Sequence, residues 1–190
     1  MDPENGLLTF HLLGKPTISY GADSLGDLLA GKEQALLVYL ACQRGKRFSR
    51  DHLATLLWGE TSPDRTRYNL RRALWRLRSA LEEVGLSPDT CLRTDDSWVS
   101  VPSSAPTWID VLEFEEAFET ASQRLEAQFS PTSEGVRRVR ESLDLYRGAF
   151  LAGFSISQAP DFEHWVLLER ERLFQLLLRA LTTLIQSFIA

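Results

Sequence analysis

RTRYNLRRALWRLR, residues 65–78, carries six arginines and neither a lysine nor an acid. With a step of about 100° per residue, Leu74, Leu77, Leu81 and Val84 fall within about 40° of Leu70, which predicts a helix with one apolar stripe. Arg65, Arg72 and Arg76 fall on the far side with Tyr68, Trp75 and Ser79. Arg71 and Arg78 fall on one flank, and Arg67 falls nearest the stripe. Guanidinium groups suit phosphates and guanine edges, and flat rings suit bases or sugars, so this pattern fits a helix lying in a DNA groove. A solvated basic face is the plainer reading of the same residues.

Upstream, Leu8, Phe10 and Leu12 alternate with Thr9 and His11, and Ile18 and Tyr20 alternate after Pro16, which predicts two short strands. A third strand is expected over Ser24–Leu29. Lys32–Gln43 then turns helical, with Leu36, Leu37, Tyr39 and Leu40 on its apolar side and Gly45 placed to stop it. Ser49 suits the cap of a second helix bearing Leu53, Leu56, Leu57 and Trp58, closed by Gly59. Asp64 or Arg65 is the expected start of the arginine helix, with Asp64 as its cap. Downstream, CLRTDDSWVSV predicts a hairpin turning at Asp95–Asp96. The order is small sheet, three helices, hairpin.

The spacer Pro102–Pro106 is the expected boundary, and the chain beyond it reads as helical. Asp110 and Glu113 form a D-x-x-E cap ahead of Phe114, Ala117, Phe118 and Ala121. Thr132 or Ser133 suits the cap of the next helix, with Val136, Val139, Leu143 and Tyr146 as its stripe and Gly148 as its stop. A final helix is expected from about Asp161. It carries one stripe of Leu173, Leu177, Ala180, Leu184 and Phe188 and a second of Phe174, Leu178, Leu181, Ile185 and Ile189. So wide an apolar face implies a further partner, either the next helix of a longer protein or a second chain.

The net charge of −5 is unevenly placed. Residues 1–105 hold 13 basic and 13 acidic groups, whereas residues 106–190 hold 8 and 13. The arginine helix therefore sits in a neutral half, and for DNA the local field matters more than the total. Cys42 and Cys91 with His11, His52 and His164 give no zinc spacing, and Cys42 reads as core. No phosphate loop or nucleophile–base pair is visible, so neither enzyme activity nor a cofactor is expected. No apolar run reaches membrane-span length, and a cytoplasmic protein is expected.

Three blocks resemble one family when taken together. KEQALLVYLACQRGKRFSRDHLATLLWGE resembles the opening helices of the winged-helix domain in antibiotic-regulatory-type bacterial activators, the SARP family. RYNLRRALWRLRSAL resembles that family's recognition helix, and YRGAFLAGFSISQAPDFEHWVLLERERL its bacterial transcriptional activator domain. The resemblance implies an α+β chain with an OmpR-type winged helix over residues 1–103. A tetratricopeptide-like helical domain would follow over 108–190, as part of a longer protein. It also implies activation at direct-repeat promoter sites, contact with RNA polymerase, and a homodimer or further domains joined through the final helix. No receiver domain is expected within these residues, so activation by aspartyl phosphate is not expected.

Double-stranded DNA is thus the expected ligand of Arg65, Tyr68, Arg71, Arg72, Trp75 and Arg76, with Arg72 and Arg76 reading base edges. Arg71 and Arg78 are expected on phosphates or paired with nearby acids. Arg93 and Thr94 on the hairpin are expected at the backbone, while Asp95 and Asp96 at its tip do not suit a phosphate. Arg50 with Ser49 opens the second helix, where a phosphate or a plain N-cap is expected. By resemblance, Gly59, Glu60, Thr61 and Ser62 form the polymerase-contacting loop. Trp58, Trp98, Trp108 and Trp165 read as core or interface anchors. A protein-interaction or ligand-sensing scaffold that acts through its helical half, with little or no DNA binding, is the alternative function.

Overall fold

The computed structural model describes residues 6–127 and 133–189, the side chains of 120–127, 133–136, 138, 139, 183 and 186–189 excepted. Strands β1 (Leu8–His11), β2 (Thr17–Tyr20) and β3 (Asp23–Ser24) open the chain. Helices α1 (Leu25–Leu28) and α2 (Gly31–Cys42), strand β4 (Phe48–Ser49), and helices α3 (Arg50–Trp58), α4 (Pro63–Glu83) and α5 (Pro88–Cys91) follow. Strands β5 (Arg93–Thr94), β6 (Trp98–Ser100) and β7 (Thr107–Ile109) lead to α6 (Asp110–Ala127), α7 (Ser133–Leu145) and α8 (Pro160–Ile189). One sheet has the order β3-β2-β1-β7 and the other β4-β6-β5. The α+β class and its order of small sheet, helices, hairpin and helical region match the expectation from sequence.

The chain forms two compact units, and neither is continuous in sequence. The first gathers the residues up to Phe10, Thr17–Trp108 and Phe154–Trp165. The second gathers His11–Pro16, Ile109–Gly153 and the chain from Val166 onward.

In the first unit α4 supplies the predicted stripe. Leu70, Leu74, Leu77 and Leu81 are buried, together with Thr66, Ala73 and Ala80. Each leucine contributes about 1.5–3 kcal/mol by leaving water, so this stripe fixes which way the opposite face points. Thr66 is tolerated there because its hydroxyl donates to the Ser62 carbonyl at 2.8 Å. Several local expectations are corrected. Leu25–Leu28 is a helical turn rather than a third strand, and only Asp23 and Ser24 pair with β2. The start of α4 is Pro63, which lacks an N–H to satisfy, and Ser62 takes the cap position in place of Asp64. Ser49 does cap α3, accepting the His52 N–H at 3.1 Å. Cys42 is only half-buried, whereas Cys91 is buried and its thiol is pushed up by desolvation.

The Pro102–Pro106 spacer is a packed turn. Val101, Pro102 and Ala105 are buried, and the Ala105 N–H donates to the Pro102 carbonyl at 3.0 Å. Nor is everything beyond it helical, because β7 joins the first sheet beside β1. The three residues of β7 alternate buried, half-buried, buried, the pattern of a strand with one core face.

In the second unit Asp110 does more than cap a helix. Its carboxylate accepts the N–H groups of Leu12 at 2.8 Å, Leu13 at 3.0 Å and Val111 at 2.8 Å. Burial pushes its carboxyl up against the pull of those donors. Phe114 and Tyr146 meet at 5.7 Å, and Leu143, Leu176 and Leu184 pack on Phe118 and Ala180. The proposed cap Thr132 lies outside the described residues. So do the side chains of Ala121, Ser133, Val136, Val139, Phe188 and Ile189.

Candidate nucleic-acid interface

Helix α4 presents a continuous outward face. Tyr68 is 58% and Trp75 66% exposed. Arg65, Arg71 and Arg72 are exposed around them, without a hydrogen-bond or ion-pair partner among the described residues. Two large rings left in water on a basic helix are the informative feature. A solvated helix face has no need of them, whereas a stacking or groove-filling surface does.

The remaining arginines of α4 are tethered. Arg67, expected nearest the stripe, is exposed and pairs with Asp51 at 3.2 Å, because its long stem carries the guanidinium out past the leucines. Arg78 pairs with Asp89 at 2.8 Å. Arg76 is the larger correction. It is half-buried, and its guanidinium meets the Glu33 carboxylate at 3.4 Å. A guanidinium so held has fewer donors left for a guanine edge than those of Arg71 and Arg72, which have no such partner among the described residues.

The hairpin is a three-stranded wing, because β4 pairs with β6 in the register Phe48↔Val99 and Ser49↔Trp98. Its second partner β5 pairs Arg93↔Ser100 and Thr94↔Val99. Asp95 holds the tip. Its carboxylate accepts the N–H groups of Ser97 at 2.8 Å and Trp98 at 2.7 Å, and meets Arg47 at 3.1 Å. Those backbone donors hold its carboxyl below the usual range, with Arg47 adding to the effect. The Asp95 charge is therefore spent inside the wing, and Asp96 remains exposed beside it. Trp98, expected as a core or interface anchor, is not core: it is 42% exposed under the Arg47 guanidinium, 5.6 Å from its ring centre.

Three recesses flank this surface. Arg50 and Arg71 line one, between the start of α3, α4 and the wing residues Ser97 and Trp98. Arg50 is anchored there by donating to the Asp95 carbonyl at 2.8 Å. Arg93 and Thr94 line another with Arg47, on the other side of Trp98. Arg72 and Arg76 line a third with Lys32 and Asn69. Arg47 and Lys32 carry no signal in the sequence, because single basic residues outside the arginine helix have no pattern of their own.

Gly59–Ser62 forms a tight turn between α3 and α4. Thr61 donates its hydroxyl to the Trp58 carbonyl at 2.9 Å. Gly59 is required, since a Cβ there would come within 2.7 Å of the Thr55 carbonyl oxygen. Trp58 itself is buried, as expected, while Trp108 and Trp165 are half-buried. Among the described residues no cluster of His, Cys, Asp and Glu is arranged to hold a metal. No described helix is long and apolar enough to cross a membrane.

Residues 28–96 match the family described as transcriptional regulatory protein, C terminal. Residues 109–190 match the bacterial transcriptional activator domain. No match was found among the curated proteins. Among solved structures, Mycobacterium tuberculosis EmbR in complex with a low affinity phosphopeptide superimposes with a TM-score of 0.78 at 21% identity. The match covers 96% of this chain but only 45% of that one, so this chain spans under half the length of its structural relative. With a regulatory winged helix followed by an activator domain, the chain belongs to the SARP-type bacterial transcriptional regulators.

Proposed function

We propose that the first unit binds double-stranded DNA sequence-specifically, with the outward face of α4 in the major groove. The observation that carries this is the set Arg65, Tyr68, Arg71, Arg72 and Trp75, outward together and without internal partners among the described residues. Arg72 and Arg71 read base edges. Arg50 and Arg93 meet phosphates, with Thr94 beside Arg93 on the wing. Arg78 and Arg76 serve mainly as tethered positive charge. The chain acts in the cytoplasm as a transcription activator at direct-repeat sites, and the Gly59–Ser62 turn offers Glu60 and Ser62 to RNA polymerase.

The test is a fluorescence-anisotropy titration of duplex DNA, chosen by selection from a random pool, across salt concentrations. If about four phosphates are neutralised, log K falls against log salt with a slope near −3.6. Absence of binding to any duplex at low salt would sink this reading.

A second reading rests on α8. Phe174, Leu178, Leu181 and Ile185 are exposed along one side of it. That row supports a protein partner for the second unit, either a second copy or further domains of a longer chain. A scaffold acting only through this face, with no DNA affinity, would be the outcome if the titration fails.

A further inference from the structure

The recess formed by Lys32, Asn69, Arg72, Arg76, Ser155 and Ser157 is not explained by the groove-facing surface of α4. Ser155 and Ser157 lie within the stretch that matches the activator domain, yet they belong to the first compact unit. Their loop is pinned at three points. Ile156 is buried with its Cγ2 against Gly31, where an added Cβ would approach to 3.3 Å. The Ile156 N–H donates to the Glu163 carboxylate at 2.8 Å. Lys32 donates to the Gln158 carbonyl at 3.0 Å and to the Leu57 carbonyl at 2.7 Å. With Ile156 held inward, the hydroxyl residues on either side of it are exposed.

Charge gives the recess its chemistry. Lys32, Arg72 and Arg76 face a single lining carboxylate, Glu33, which leaves two net positive charges. Burial pulls the Lys32 ammonium below its usual range, and Glu60 is the acid that works against this. Position gives its partner. Around the axis of α4, Asn69 and Arg76 fall on the flank opposite Arg67 and Arg71, which line the recess on the wing side. A helix seated in a major groove has a phosphate backbone along each of its flanks, and a wing serves only one of them.

We propose that the Ser155–Ser157 loop and the Arg72–Arg76 flank of α4 form a phosphate site that grips the DNA backbone on the flank of α4 opposite the wing. Arg76 and the remaining N–H of Lys32 meet the phosphate, and Arg72, whose guanidinium reads a base edge, adds its charge at the rim of the recess. Ser155 and Ser157 donate hydroxyl hydrogen bonds to the phosphate oxygens. The loop is pre-ordered by its three anchors, so little conformational entropy is lost on binding. The activator domain's own sequence thereby contributes to the DNA interface. This rests on the reading of α4 as the groove helix.

The experiment compares wild type, Ser157→Glu and Ser87→Glu in the full chain by anisotropy across salt. Ser87 is exposed and lies outside this recess, so it controls for added charge alone. Ser157→Glu is expected to weaken binding about tenfold and to make the salt slope shallower by about 0.9, one phosphate contact. Ser87→Glu should stay within about twofold of wild type. Duplexes with single phosphates replaced by uncharged methylphosphonate then locate the contact. One position should weaken wild type and leave Ser157→Glu unchanged. Equal effects of the two glutamates, no effect of Ser157→Glu, or no such position would overturn the proposal while leaving α4 as the groove helix. Failure of wild type to bind any duplex overturns both.

Discussion

Helices α4 and α8 both leave large apolar side chains in water, but they do so in different company. On α4 the exposed rings of Tyr68 and Trp75 stand among arginines. On α8 the exposed Phe174, Leu178, Leu181 and Ile185 form an aliphatic-rich row, and between Phe174 and Ile185 the sole charge is Arg179. The first mixture suits an anionic, stackable surface, because guanidinium charge and planar rings meet phosphates and bases. The second suits another apolar surface, because it offers area and almost no direction. One chain thus presents two faces whose chemistry points to two classes of partner.

The largest expected effect tests whether α8 truly has a buried and an exposed side. Leu173 is fully buried, so Leu173→Ala should cost about 2–5 kcal/mol in a denaturant titration. Leu181→Ser on the exposed row should cost under about 0.5 kcal/mol and should weaken any self-association seen by light scattering. Equal costs at the two positions would erase the distinction.

Next comes the outward face of α4. Arg72→Ala should lower affinity for the selected duplex by about 1–3 kcal/mol with an unchanged melting temperature, measured by anisotropy and thermal unfolding. Arg76→Ala should lower it by less and should flatten the salt slope rather than relax base preference, because Arg76 is already committed to Glu33. If Arg76→Ala relaxes base preference more than Arg72→Ala, the assignment of roles is reversed.

The smallest effect concerns the wing. The folded carboxyl of Asp95 is held low by the Ser97 and Trp98 N–H groups. Its contribution to the tip is therefore complete above the ordinary Asp range of about 3.9 and disappears as pH falls through the lower folded value. Titration of the Trp98 amide resonance should show its midpoint below that range. A midpoint at or above it would mean that the tip hydrogen bonds do not favour the charged form.

Much of the outward face of α4 is legible in the sequence. Leu70, Leu74, Leu77 and Leu81 are on one face because a helix repeats every 3.6 residues, and that alone sends Tyr68, Arg72 and Trp75 outward. Failures came wherever a residue's fate depended on something distant in sequence. Arg76 appeared free until Glu33 met it, 43 positions away. Trp98 reads from sequence as core or interface, and it is the wing that leaves it outside the core, beneath Arg47. Asp110 appeared to be a simple cap until Leu12 and Leu13 brought their N–H groups to it.

By itself the sequence determined the amphipathic helices, the hairpin and the family to which the chain belongs, because periodicity, turn chemistry and local motifs are properties of neighbours along the chain. Only the tertiary structure decided which arginines stay unpaired, that the Ser155–Ser157 loop belongs to the first unit, and which of the two stripes on α8 is covered. Those outcomes depend on which side chains from remote segments arrive at the same place. Ion pairing and burial act through space, over a few ångströms, whatever the separation in sequence.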